Sequence, residues 1–287
     1  MGMRVKTIEI LKKAKQEKKA VGAFNVTSFE SLQAIVGAAK DSGHSCIVQA
    51  TVKTLDYFGD KVLGGMAALV AEHNSNGTSI GFHLDHGSSL DEVIRAIDLG
   101  MDSVMIDASK KDFKENLRIT RQVVEYAHSK GVSVQGELGS VPYLGREEQD
   151  IDWDKYMTDP EEAEKLVKES GIDALAVGIG NAHGFFRERE TPDWERLEKI
   201  NALLCDVPFI LHGASDWNGE KIDQAIERGI TCFNVDTDLR VAFITSLRES
   251  LSGKYGLIDP REFLAKAGKK VKEKVEEKMK IFALEKK

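Results

Sequence analysis

The chain has 287 residues, of which 41% are hydrophobic and 30% charged, and a formal net charge of −7. That balance describes a globular protein with a sizeable core and argues against nucleic acid as a partner, because no basic cluster with interleaved aromatics occurs. No apolar stretch approaches the roughly 20 residues of a membrane span, so no membrane partner is expected either.

The first segment, MGMRVKTIEILKKAKQEKKA, is charged throughout and lacks the apolar centre of a signal peptide. Short apolar runs then alternate with longer, charged segments of helical period. AVGAFNV (20–26) carries Asn25 near its end. SFESLQAIVGAAKDSG follows, opened by Ser28 and stopped at Gly43 as helix caps require. CIVQAT (46–51) closes on Thr51, and SIGFHLD (79–85) leads into His86-Gly87, with SLDEVIRAIDLG reading as its helix. SVMIDAS (103–109) carries Asp107 and precedes the helical DFKENLRITRQVVEYAHSKG; SVQGELG (133–139) carries Glu137. ALAVGIG (174–180) precedes His183-Gly184, and FILHGAS (209–215) contains His212-Gly213 before GEKIDQAIERG. CFNVDTD (232–238) is the eighth run. From 259 to 287 the chain reads as one more helix, whose stripe of Val271, Val275, Met279 and Phe282 is set to dock on the body of the protein or on a partner subunit.

Eight strand–helix units with nearly continuous apolar strands predict a parallel sheet buried on both faces. With no Pro-rich or Gly/Ser-rich linker, the reading is α/β: one (β/α)8 barrel over 1–287, with 259–287 as a C-terminal helical extension. A doubly wound open sheet is the rival. It would usually carry a GxGxxG or P-loop motif, and neither is present. Cys46, Cys205 and Cys232 each sit in an apolar run without CxxC spacing, which predicts buried free thiols in a reducing cytoplasm.

Barrel enzymes place their chemistry at the carboxyl ends of the strands. Here those ends carry Asn25, Thr51, Asp85-His86, Asp107, Glu137, His183, His212 and Asn234-Asp236. A His-Gly pair closes a run three times, at His86, His183 and His212. Three imidazoles on one rim suit a catalytic zinc with a position left for substrate. His83 shares a strand face with Asp85 and reads as a residue supporting the ligands; His44, His73 and His128 read as solvated. Asp85 and His86 are adjacent and should point to opposite faces, so both reach one site only if the chain turns at His86. The loops after strands seven and eight, Gly213-Ala214-Ser215 and Asn234-Val235-Asp236-Thr237, stand where barrels frequently bind phosphate through backbone N–H groups. The competing explanation is N-capping by Ser215 and Thr237. Arg187 either adds a cation or belongs to the solvated run Arg187-Glu188-Arg189-Glu190.

Taken together, GAFNV, HLDHG, VMIDAS, ELG, MTDPEEA, AHG, LHGAS and NVDTDLR resemble the class II, metal-dependent fructose-bisphosphate aldolases, in order from about residue 5 to 245. The resemblance implies zinc held by His86, His183 and His212, with Asp85 moving the proton at the C4 oxygen. It implies dihydroxyacetone phosphate bound at Gly184, Gly213, Ser215, Asn234 and Thr237, and Asp236 touching the sugar. Asp107 and Glu137 match carboxylates for a second or displaced divalent ion, and Asn25 and Thr51 match residues lining the site. A monovalent cation is a further cofactor that the resemblance admits. Zinc would act as a Lewis acid for the enediolate of the cleavage. No lysine ends strands five to eight, so a Schiff-base route lacks its nucleophile. The pattern departs from the family at ELGSVPYLGREEQD, where Glu148, ahead of Glu147, takes the place of the mobile proton-transfer glutamate. That glutamate is otherwise Glu147, or the segment is only a solvated acidic loop; the pattern departs also at SKKDFKEN, at SDW after the HGA, and at Val52-Lys53 after Thr51. NVDTDLR resembles the fructose branch, whereas tagatose-bisphosphate aldolases typically read NVATEL. An aldolase for another ketose phosphate and a catalytically impaired sugar-phosphate-binding barrel are the alternatives. A homodimer or higher homo-oligomer is expected.

Overall fold

Val- and Ile-rich runs flanked by capped helices can bury both faces only by pairing side by side beneath a helical layer. The chain does so in a computed structural model that describes residues 5–72, 78–142, 152–182, 191–215, 217–252 and 258–285. The strands are β1 (Val21–Asn25), β2 (Cys46–Thr51), β3 (Ile80–Gly87), β4 (Ser103–Ile106), β5 (Ser133–Leu138), β6 (Ala174–Val177), β7 (Phe209–Leu211) and β8 (Ile230–Val235). They form a closed parallel barrel in sequence order, with β8 returning to β1 through Val21↔Cys232 and Ala23↔Asn234. The fold is the expected (β/α)8 barrel.

The helices are α1 (Thr7–Gln16), α2 (Phe29–Ser42), α3 (Val52–Phe58), α4 (Asp60–Glu72), α5 (Leu90–Asp98), α6 (Phe113–Ser129), α7 (Pro160–Ser170), α8 (Trp194–Leu203), α9 (Gly219–Glu227), α10 (Thr237–Leu251) and α11 (Pro260–Phe282). Their starts follow the caps: Ser28, Ser89, Asp112 and Asp159 each accept a backbone N–H of the first turn. The sequence reading did not anticipate α1. Its Thr7 N–H donates to Asp102 Oδ1 at 2.9 Å, just before β4, and Leu11 packs against Ala23, Ile47, Ala176 and Ile210 inside the barrel. That helix therefore closes the amino end of the cylinder. The predicted stripe of α11, Val271, Val275, Met279 and Phe282, is buried, and the helix packs on α2 and α10. No helix among the described residues is long and apolar enough to cross a membrane.

Alternation sorts the strand residues into two environments. Phe24, Val48, Phe82, Val104, Val134, Leu175, Phe209 and Phe233 belong to the large core between strands and helices. The opposite parity faces the axis, small and apolar toward α1 and polar toward the carboxyl end, where Asn25, Gln49, His83, Asp85, Gln135, Glu137 and Asn234 are all buried. β4, β6 and β7 leave the ladder earlier than their apolar runs suggest. β8 stops at Val235 because the next residues open α10. Cys46 and Cys232 are buried as expected, but Cys205 is exposed, because it falls in the turn between α8 and β7.

Candidate active site

The chain does turn at His86. Its φ is +54°, the left-handed region that a non-glycine residue enters at a cost of roughly 1–3 kcal/mol. The β3–β4 register shifts between Leu84 and Gly87. Consecutive side chains, Asp85 and His86, thereby serve one point. Gly87 permits this because a Cβ there would lie 2.8 Å from both Leu84 Cδ2 and the Met105 carbonyl.

Asp85 is buried and held by two amides. Asn25 Nδ2 donates to Oδ2 at 2.8 Å, and Asn234 Nδ2 donates to Oδ1 at 3.2 Å. Asn25 is oriented in turn by Gln49, whose Nε2 donates to Asn25 Oδ1 at 2.7 Å. His86 Nδ1 meets Asp107 Oδ2 at 2.9 Å, which leaves Nε2 to face the cavity. That Nε2 lies 3.1 Å from His212 Nδ1, with the two rings edge to face at 4.8 Å between centroids. Gln135 and Asn234 amides sit 3.2 Å from His212 Nε2.

The electrostatics are those of a site short of positive charge. Burial disfavours the imidazolium of His86, but Asp85, Asp107 and Glu137 outweigh it and push the pKa up to about 10. Burial and the neighbouring Asp107 carboxylate push Glu137 up to about 8, against the opposing pull of His86. Asp107 resists its own burial through His86 and Ser109 and falls to about 2. Asp236 is raised by burial, opposed by Arg240 at 2.6 Å. His83 lies one layer deeper, with Nδ1 2.9 Å from Ser103 Oγ, and burial drives it down to about 4, so it is neutral.

Two ligand sets fit a divalent ion. Asp85, His86 and His212 each offer an atom, all within 4.8 Å of one another, and so do His86, Asp107 and Glu137. Glu137 Oε2 is buried without a hydrogen-bond partner among the described residues. A convergent imidazole pair, a carboxylate that fixes one ligand's tautomer and an unsatisfied carboxylate oxygen are the donor chemistry a zinc-type ion requires.

Asn25, Thr51, Asp85, His86, His212, Gly213, Ser215, Asn234, Asp236 and Thr237 line one cavity of about 360 Å³, joined by Lys53 and Arg240. Asp107 and Glu137 approach His86 from outside that wall. Ala214 and Val235, expected at the site from the sequence, are instead buried in the hydrophobic core and do not line this cavity, because their side chains point to the layer between strands and helices. Capping does not explain the two loops: Asn218 caps α9, and α10 begins after Asp236 with no side-chain cap. His183, Gly184, Arg187, Glu147 and Glu148 lie outside the described residues. Gln49, Gln135, Lys53 and Arg240 were not singled out from the sequence as site residues. The two glutamines carry a readable signal, a polar residue inside an apolar strand at the parity of Thr51 and Glu137.

A closed parallel barrel whose carboxyl rim gathers imidazoles and carboxylates is a barrel enzyme equipped for a divalent ion. Residues 5–287 match the family model for fructose-bisphosphate aldolase class-II. The chain is 37% identical to the fructose-bisphosphate aldolase of Helicobacter pylori over 302 residues, covering 97% of this chain and 98% of that one. It is 38% identical to the fructose-bisphosphate aldolase of Geobacillus stearothermophilus over 275 residues, covering 96% and 95%. Among solved structures it is similar to the YdjI aldolase of Escherichia coli K12, with TM-score 0.83, 27% identity and coverage of 98% and 97%. The chain belongs to the class II fructose-bisphosphate aldolase family, and it is a lyase.

Proposed function

We infer that the protein reversibly cleaves fructose 1,6-bisphosphate to dihydroxyacetone phosphate and glyceraldehyde 3-phosphate, with zinc as its resident ion. The observation that carries this reading is the meeting of His86 Nε2 and His212 Nδ1 beside an Asp85 carboxylate held by two amides. His86 and His212, with His183 from the loop after β6, would hold the ion. When bound, it supplies Lewis-acid stabilisation of the negative charge that develops as the carbon–carbon bond breaks.

The chain's own residues supply position and proton transfer. Each Asp85 oxygen takes one amide donor, and the carboxylate lines the cavity. Asp85 takes the proton of the C4 hydroxyl as the C3–C4 bond breaks and the aldehyde forms; the bonding pair stays with C3. Positioned general bases of this kind contribute about 10²–10⁴-fold. Glu148 is our reading for the residue that returns a proton to C3. The backbone of Gly213-Ala214-Ser215 and of Asn234–Thr237 takes the ketone-side phosphate, and Thr51, Lys53 and Arg240, which line the same cavity, suit the second phosphate. Asp236, which lines the cavity and is held by Arg240 at 2.6 Å, suits a sugar hydroxyl. The three free cysteines support a reducing, cytoplasmic setting. Exposed Tyr57, Val241, Ile244 and Leu251 support a homodimer or larger assembly.

A substrate panel on metal-analysed protein tests this reading. We expect about one zinc per chain, cleavage abolished by EDTA and restored by zinc, and kcat/KM highest for fructose 1,6-bisphosphate over tagatose 1,6-bisphosphate and monophosphates. Metal-free turnover, or preference for another ketose, overturns it.

A further inference from the structure

The C-terminal helix sets a buried cation behind the two phosphate loops. Lys278, near the end of α11, is 5% exposed and is the one buried lysine or arginine among the described residues. Its ammonium donates to the carbonyl of Ser215, in the loop after β7, and lies 2.8 Å from Asp238 Oδ2, in the first turn of α10 after β8. Its neighbours fix its place. Phe282 stacks on Phe233 of β8 with centroids 4.7 Å apart, and the Ala20 N–H donates to the Phe282 carbonyl at 3.0 Å.

Stability does not call for a lysine here. Desolvating an ammonium is costly, and a hydrophobic side chain in place of a buried ion pair is often neutral or better. What the lysine achieves is a cross-tie: one group holds both loops that line the cavity. Ser215 lines the cavity, whereas Lys278 does not, so the carbonyl that Lys278 holds is turned away from the site. A carbonyl oxygen released to face a phosphate would repel it. We propose that Lys278 is a positioning residue for the substrate phosphate, setting the spacing of the two loops and keeping the Ser215 carbonyl to the rear. The proposal rests on the reading of those loops as the phosphate site.

The test is steady-state kinetics of the zinc-loaded enzyme in the condensation direction. Lys278→Met removes the ammonium and deprives the half-buried Asp238 of its lysine partner. Lys278→Met combined with Asp238→Asn removes both charges and carries the test if the single variant does not fold. For either variant we expect KM for dihydroxyacetone phosphate to rise about tenfold, the equivalent of about 1.4 kcal/mol. KM for glyceraldehyde 3-phosphate and kcat stay within about twofold. If KM for dihydroxyacetone phosphate is unchanged, or if both KM values and kcat change together, Lys278 is only structural and the inference fails. Wild-type enzyme offered unphosphorylated dihydroxyacetone separates the two readings. Equal KM with and without the phosphate overturns the phosphate loops themselves, and the Lys278 inference with them.

Discussion

Replacing Gly213 by alanine strikes the joint between two proposed zinc ligands. Gly213 has φ +68°, and a Cβ there would stand 2.3 Å from the carbonyl oxygen of Ala182, 2.6 Å from its carbon and 3.1 Å from Val141 Cγ1. The two closest atoms are backbone, so no rotamer change relieves the clash. A left-handed non-glycine residue costs roughly 1–2 kcal/mol and an overpacked contact roughly 1–3 kcal/mol. The sum, roughly 2–5 kcal/mol, corresponds to a fall in Tm of about 5–15 °C for a chain of this size. Gly213 follows His212, and Ala182 precedes His183, so the separation that relieves the clash also spreads the ligands. Displacing the support of a metal ligand typically lowers metal affinity about 10–100-fold. The assay is calorimetry of metal-free protein together with zinc titration and kcat/KM. Gly219→Ala is the control: nothing lies within 4 Å of its Cβ, and the change should be neutral or slightly stabilising. A Gly213→Ala protein with wild-type Tm and zinc affinity, or a Gly219→Ala protein that falls equally far, refutes the reasoning.

Asp85→Ala should retain zinc and lose about 10²–10⁴-fold in kcat, whereas His212→Ala should lose both zinc and turnover; metal analysis beside initial rates distinguishes them, and an active Asp85→Ala protein removes its assigned role. Lys53→Ala should raise KM for the bisphosphate about tenfold, in line with one lost charge-assisted contact, and leave KM for dihydroxyacetone phosphate unchanged; an unaltered bisphosphate KM would clear Lys53 of that role. His83 titrates near 4 in the folded protein and near its ordinary 6.5 when unfolded, so between those values the unfolded chain binds more protons. Its stabilising effect is therefore complete above about pH 6.5 and declines by up to roughly 3 kcal/mol as pH falls toward 4. Urea unfolding in EDTA should show wild-type protein losing stability faster than His83→Gln across that window; parallel curves contradict the buried neutral imidazole.

Much of this arrangement is written in local sequence, and some of it is not. The strands are readable because a sheet buried on both faces needs apolar runs, and the runs turn polar toward the rim. Closure of those runs then brings Asn25, Asp85, His212 and Asn234 together, although their spacing in the chain says nothing of it. The conflict between adjacent Asp85 and His86 is itself informative, since strict alternation cannot serve one site and a left-handed turn at His86 resolves it. Less legible were α1, whose charged residues mask the few apolar ones that plug the barrel, and Cys205, where an apolar run spills into an exposed turn. The role of Gln49 depends on which way the Asn25 amide is turned, a fact of hydrogen bonding that only three-dimensional structure supplies. Lys278 is similar: amid the many lysines of α11 nothing marks it until the helix is docked.

His86 stands at the end of β3 and His212 just after β7, and their ring nitrogens meet across 126 residues of chain. In a ring of eight strands these two are diametrically opposed. An ion gripped by both would work as a tie-rod across the bore, adding to the few side-chain hydrogen bonds, such as Asn234 to Asp85, that already span it. Removing it disarms the chemistry and also leaves every seam of the ring easier to part, so chelated protein should succumb to proteases sooner than its loaded form.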